Sequence, residues 1–599
     1  MPETTLIERT SLDRRYLWNA EACFADREAW NRELEACKAA IPLVAAGAGS
    51  VAAGGAKGLF KLYAELLGLL DRIGPLYVYA SMSQAVDVRD LAAQAMNGQA
   101  GALFAQFSAA VSFVEPELLA LGKPTLDAWM AQEPGLAEYA HTFDNLFRKQ
   151  AHVRSAEVEE VLGLVSEVFQ SAWNTRDLLV DADLKFAAAS DGSEVAQSSI
   201  DSLLGRPERE VRRSGWHSYC DAHIAHENSL SAALATAVKR DAFIAKARRF
   251  GSSIEAALFE NDIPRAVFDS TIATFRENLP VWHRYWRARR KALGLEKLEH
   301  FDIWAPLAKV QPKVPYEKAV GWIAEALSPL GSEYSSTLRR GCLEERWVDV
   351  YPTIGKGQGA FSTGWKGISP FIMMSYSDDL SSMSTLAHEL GHSMHSWHTW
   401  RTQPSMYADY SIFVAEVASN FNQAMTRAYL FEREKDPQFQ LALIEEAMDN
   451  LHRYFFIMPT LARFELEMHS RVEAGKGVTA DDLNALMADL FAEGYGGELE
   501  VDRHREGSTW AQFGHLYMNY YVFQYATGIS AAHALAGPIL AGEAGAAGRY
   551  REFLSAGSSV YPVEALRRAG VDMRGPEAVE RCFGVLEDYV ARLEGLIGK

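Results

Sequence analysis

Residues 384–398 read Ser384-Thr-Leu-Ala-His388-Glu389-Leu-Gly-His392-Ser-Met-His395-Ser-Trp-His398, with His388, Glu389 and His392 in the order H-E-x-x-H. Side chains four apart on an α-helix lie one above the other, so His388 and His392 can each aim a ring nitrogen at one cation. Glu389 stands about 100° around the helix, where it can handle a water molecule instead of the cation. The spacing thus separates holding a metal, zinc by the nature of these ligands, from activating water. The competing explanation is a chance pattern on an amphipathic helix, with both histidines satisfied in a core. A third ligand decides. Structural zinc sites are closed by four protein ligands, whereas two histidines and one more leave open the position that catalysis uses.

His398 stands where metzincins place a third histidine, but His395 occupies the place of the glycine that turns the chain in those enzymes. The helix is therefore expected to continue, which carries His398 roughly 15 Å and His395 roughly 10 Å along the axis from His388. Glu416 is the other candidate. It is the only formally charged side chain between Tyr410 and Thr426, and a carboxylate in such apolar company is costly unless a cation receives it. A second helix carrying Glu416 past the first would complete the His, His, Glu set of thermolysin-like sites, the gluzincin arrangement.

His388-Glu-Leu-Gly-His-Ser-Met-His395, followed by Tyr407-Ala-Asp-Tyr-Ser-Ile-Phe-Val-Ala-Glu416-Val-Ala-Ser, resembles the M3 metallopeptidases and within them the oligoendopeptidase F branch. The resemblance implies one zinc ion per chain on His388, His392 and Glu416, with Glu389 as general base. It also bears on Trp510–Ser530, where His515 lies among Tyr517, Tyr520, Tyr521 and Tyr525. A histidine with four tyrosines offers donors for an oxyanion, and in this family the segment supplies a histidine and tyrosines facing the metal. His515, Tyr521 and Tyr525 are the residues to which that role carries over. Two positions depart from the family: Phe523 stands where relatives often have tyrosine, and Gln423 where they often have glutamate. Asn420, one turn beyond Glu416, is expected to support a zinc histidine from behind.

The 599 residues are too many for one simple core and point to two lobes. Hydrophobic residues make up 48% and charged ones 23%, an ordinary balance for a globular protein. The net charge of −19 argues against nucleic acid and anionic membrane partners. Five scattered cysteines with no C-x-x-C pair suggest neither a disulfide framework nor a cysteine metal cluster, and favour a reducing compartment. The stretch Met1–Thr10 lacks a basic end followed by an apolar core, so a cytoplasmic enzyme is expected. Ala39–Ala56, uncharged but holding Pro42 and many small residues, reads as a loop between helices and not as a membrane span.

Apolar spacing of three and four predicts helices from Glu28 to about Leu162, and again from about Arg206. Between them, Asp181–Ser199 predicts a short hairpin with its turn at Asp191-Gly192. The basic cluster Arg287–Lys291 reads as a solvated helix face, and His217, His223 and His226 lack the partners a second metal site needs. Trp347-Val-Asp-Val-Tyr351 and Phe371-Ile-Met-Met-Ser-Tyr376 read as strands, with a glycine-rich stretch between them that lacks the order of a nucleotide loop. An edge strand near Gly359 could pair with an extended peptide.

These observations predict a mainly α, multi-helix, two-lobed zinc peptidase with a small β-sheet next to the HExxH helix. Residues 1–200 would form a helical lobe, which by resemblance caps a channel, and residues 201–599 the catalytic domain. The expected activity is zinc-dependent endopeptidase cleavage of short unfolded oligopeptides. The alternatives are a carboxypeptidase-like exopeptidase, with Arg463 or Arg503 capturing a terminal carboxylate, and a non-catalytic peptide-binding protein.

Overall fold

The structure, a computed structural model, describes residues 6–597; the first five residues of the stretch read above as lacking a leader lie outside them. The fold is mainly α. Among the described residues the strands are β1 (Leu298–Glu299), β2 (Val348–Asp349), β3 (Phe361–Thr363), β4 (Phe371–Met373) and β5 (Leu499–Glu500). Packing divides the chain into two compact units, each built from three segments.

The first unit comprises Met1–Ala151, Lys313–Leu430 and Leu535–Gly570. Its helical part opens with Arg27–Ala45, Val51–Val86 and Leu91–Val111. Trp30, Leu34, Cys37, Ile41 and Val44 are spaced three and four apart and are all buried, the pattern that gives a helix one apolar face. Asp26 and Asp90 cap two of these helices by accepting from the amides of Ala29 and Ala93. The uncharged run Ala39–Ala56, read above as a loop, is mostly helical: Pro42 lies inside the helix Arg27–Ala45, and the loop is confined to residues 46–50. One stretch, Leu91–Leu121, is long and apolar enough to cross a membrane by length and composition; here its Met96, Leu103, Phe107 and Leu118 belong to the core of this unit.

The same core takes in Phe371 and Met373 of β4. β4 lies in the middle of a three-stranded sheet, parallel to β2 with Val348 opposite Ile372, and antiparallel to β3 with Ser362 opposite Ile372. All of β4 is buried, whereas β3 is an edge strand of intermediate exposure. Asp349 of β2 is fully buried and meets Lys356 Nζ at 2.8 Å and Arg9 Nη1 at 2.8 Å. Arg9 lies on a segment whose Ile7 bridges to Thr353, so the N-terminal strap is tied to the sheet.

The second unit comprises His152–Pro312, Phe431–Ala534 and Val571–Lys599. Trp282, Trp286, His452, Phe456 and Tyr495 pack ring against ring in its interior, and β1 pairs with β5 in parallel. Two expectations are corrected here. The turn at Asp191-Gly192 is present, with Gly192 at φ +85° and Gly192 N donating to Ala189 O, but no strands flank it. The chain beside it is held by a helix instead: Ser218 Oγ donates to Ala187 O and Ser190 N to Ser214 Oγ, while Ala189 and Val195 pack with Trp216 and Tyr219. Nor is Arg287–Lys291 wholly a solvated face, because Arg289 is buried and donates to the carbonyl of Asp302. His223 is a core histidine bonded through Nδ1 to Tyr219 O.

Candidate metal centre

The HExxH segment lies within one unbroken helix, Leu380–Thr402, started by Asp379, whose carboxylate accepts from the amide of Ser382 at 2.7 Å. Leu386, Leu390 and Met394 are fully buried and orient it. Glu416 lies on the helix Ile412–Arg433. The two helices meet backbone to backbone at Gly391, between the two histidines: a Cβ there would sit 2.4 Å from Ala418 O and 2.5 Å from Ser419 Cα. Only glycine permits that approach, and the approach is what brings Glu416 to the histidines.

His388 Nε2 lies 3.2 Å from His392 Nε2 and 3.3 Å from Glu416 Oε2, and His392 Nε2 lies 4.0 Å from the same oxygen. Among the described residues this is the group of three ligands that could hold a metal ion. Zinc bound tetrahedrally at about 2.0–2.2 Å requires ligand atoms roughly 3.3–3.6 Å apart, so the residues fit. The protons point to the same conclusion. His388 Nδ1 meets Gln423 Oε1 at 3.2 Å, and the backbone of Ala415 hydrogen-bonds His392, so each ring has an acceptor for a proton besides the other ligands. Burial and the His388 ring push His392 down to about 4. Two ring nitrogens and a carboxylate oxygen thus converge on one point, a donor set that suits a cation. Ser419 Oγ donates to Glu416 Oε2 at 3.1 Å and steadies the carboxylate.

Glu389 is 6% exposed. Burial, reinforced by Glu416, raises its carboxyl to about 7, against the pull of His388 and a hydrogen bond from the Ser362 backbone. That bond, with the 2.8 Å contact of Ser362 Oγ and Ser393 Oγ, places β3 against the HExxH helix.

His398 is carried away by the continuing helix; its ring stacks on Tyr334 at 5.6 Å and its buried Nε2 has no hydrogen-bond partner. His395 is buried and stacks on Tyr410 at 3.6 Å, and the Tyr410 hydroxyl donates to His392 O. Asn420 bonds no histidine: its Nδ2 donates to Glu416 O of its own helix and its buried Oδ1 has no hydrogen-bond partner, whereas Gln423 faces His388. His515, Tyr521 and Tyr525 belong to the second unit, where the His515 and Tyr521 rings lie 5.9 Å apart and the two tyrosine hydroxyls 3.3 Å apart. Burial, with Arg453 and Arg176, holds His515 below its ordinary value. Phe523 is a core residue against Phe268.

Sequence reasoning missed the groups that hold the His515 loop. Arg176 donates to Gln512 O, Arg240 to Tyr517 O, and Glu465 Oε1 accepts from the amide of Tyr520, which has φ +49°. Their partners are backbone atoms, which no residue pattern announces. Gly391 was equally silent, since a glycine inside a helix signals close approach only once its neighbour is known.

Comparison with known proteins gives matches over nearly the whole chain. Residues 202–585 match peptidase family M3, and residues 117–186 match a second description, Oligopeptidase F. Oligopeptidase PepF of Bacillus subtilis is 35% identical over 99% of this chain and 89% of its own length. Group B oligopeptidase PepB of Streptococcus agalactiae is 33% identical over 99% of this chain and 98% of its own. Among solved structures, oligoendopeptidase-F from Enterococcus faecium is similar with TM-score 0.73 at 30% identity, covering 96% of this chain and 99% of that one.

Proposed function

Since this chain belongs to peptidase family M3, we propose that it is a zinc-dependent endopeptidase that cuts internal bonds of short, unfolded oligopeptides. One observation carries the reading: His388 Nε2, His392 Nε2 and Glu416 Oε2 converge, 3.2–4.0 Å from one another. One zinc ion per chain would be held by these three residues, and when bound it supplies the Lewis acidity that makes water a nucleophile at neutral pH. Glu389, buried beside the ligands, accepts the proton of the attacking water and passes it to the leaving amine. The edge strand β3 would receive an extended substrate through backbone hydrogen bonds, which hold many sequences in one register. His515, Tyr521 and Tyr525 would supply donors to the oxyanion, a role that rests on family resemblance. A cytoplasmic location is part of the proposal, supported by five unpaired cysteines.

The exopeptidase alternative needs a cation free to take a terminal carboxylate. Arg463 is paired with Glu493 and Arg503 with Asp489, so neither is favoured for it. The binding-protein alternative leaves the buried Glu389 without a use. The test compares a peptide blocked at both ends with the same peptide carrying free ends, and a stable folded protein with its tryptic fragments. Internal cuts in the blocked peptide and in the fragments, with the folded protein spared, are expected. Cleavage confined to free ends would replace the endopeptidase reading, and equal cutting of the folded protein would overturn the substrate class.

A further inference from the structure

We propose that Gln423 is a positioning residue that selects the metal-binding tautomer of His388 and thereby sets the affinity of the site for zinc. The inference rests on the reading of His388, His392 and Glu416 as metal ligands. Gln423 lies two helical turns beyond Glu416, and its amide spans the two helices: Oε1 faces His388 Nδ1 at 3.2 Å and Nε2 faces Ser384 Oγ at 2.8 Å. Ser384 is one turn before His388, and its hydroxyl also accepts from Arg427 Nη2 at 3.4 Å. Gln423 and Ser384 are each 6% exposed and Arg427 2%, so water does not compete for these bonds.

Ser384 Oγ accepts from both the Arg427 guanidinium and the Gln423 amide nitrogen. That orientation turns the amide oxygen to His388 Nδ1, and since an amide oxygen only accepts, the contact is a hydrogen bond when Nδ1 carries the ring proton. His388 Nε2 is then a bare lone pair aimed at the other ligands. Turned over, the amide would present its NH2 to Nδ1 and force the proton onto Nε2, against His392 and in the way of any metal. The amide makes this selection without adding charge. A carboxylate at the same place would accept the same proton more strongly and make His388 a better ligand.

The experiment measures the zinc affinity of the full chain by competition with a chromogenic chelator, for the wild type, Gln423→Leu, Gln423→Glu and Ser384→Ala, with melting of the metal-free proteins alongside. Gln423→Leu should bind zinc at least about tenfold more weakly. Gln423→Glu should bind at least as tightly as the wild type, and Ser384→Ala, which frees the amide to turn, should bind several-fold more weakly. Should Gln423→Leu fail to fold, the other two variants decide. Wild-type affinity in Gln423→Leu, or in Ser384→Ala if Leu does not fold, overturns the inference, as does a loss in Gln423→Glu equal to that in the other variants. A wild type that binds no zinc overturns the metal-site reading, and this inference with it.

Discussion

Each residue of the site has one task, and the tasks separate experimentally. Glu389→Gln removes a proton acceptor and leaves the ligands, so it should retain a full equivalent of metal and lose activity by roughly 10³-fold. Metal analysis beside peptide cleavage checks both halves. Glu416→Ala should lose metal affinity while His398→Ala keeps it, because His398 is stacked on Tyr334 and outside the converging set; equilibrium dialysis against zinc compares the two. The reverse order would contradict the assignment. The positions of His388, Glu389 and Glu416 could be read from spacing and from one charge in an apolar run. Gln423 could not be read as the partner of His388, because Asn420 and Gln423 lie on the same helix and only the rotation of that helix against the other chooses between them.

At the scale of elements, the site is a crossing of two helices closed by a glycine. Gly391→Ala would drive a methyl group into the backbone of Ala418 and Ser419, so the helices must separate and Glu416 retreat from the histidines. Destabilisation of about 1–3 kcal/mol, together with weaker zinc binding, is expected from denaturant unfolding and chelator competition. Undiminished affinity would show that the contact does not set the ligand spacing. The helices and the strands β2 and β4 were legible because periods of 3.6 and 2 are written in single segments. The flanks of Gly192 were misread as strands because their partners, Ser214 and Ser218, lie on a helix 24 and 31 residues on. Likewise Arg289 looks solvated in a run of basic residues, and only the carbonyls it meets explain its burial.

The whole molecule relies on contacts distant in sequence, and the N-terminal strap is one with a pH signature. Burial alone would push the Asp349 carboxyl up, but Arg9 and Lys356 outweigh it and hold it below its ordinary value. A carboxylate so depressed adds stability above the ordinary carboxylate range and loses it as pH falls through the folded-state value. Arg9→Met should therefore cost about 2 kcal/mol near neutrality, and the gap in melting temperature to the wild type should narrow as the pH is lowered from 7 towards 3. A constant gap would mean that Arg9 acts by packing and not through Asp349. The division into two units, each drawn from three segments, was not legible, since a sequence is read in order and packing is not. The central claim, metal-dependent hydrolysis at His388, His392 and Glu416, is tested most directly on an end-blocked oligopeptide, comparing chelator-stripped protein with the same protein given one equivalent of zinc. Internal cleavage should vanish on stripping and return with that equivalent; undiminished cleavage by the metal-free protein would contradict the account.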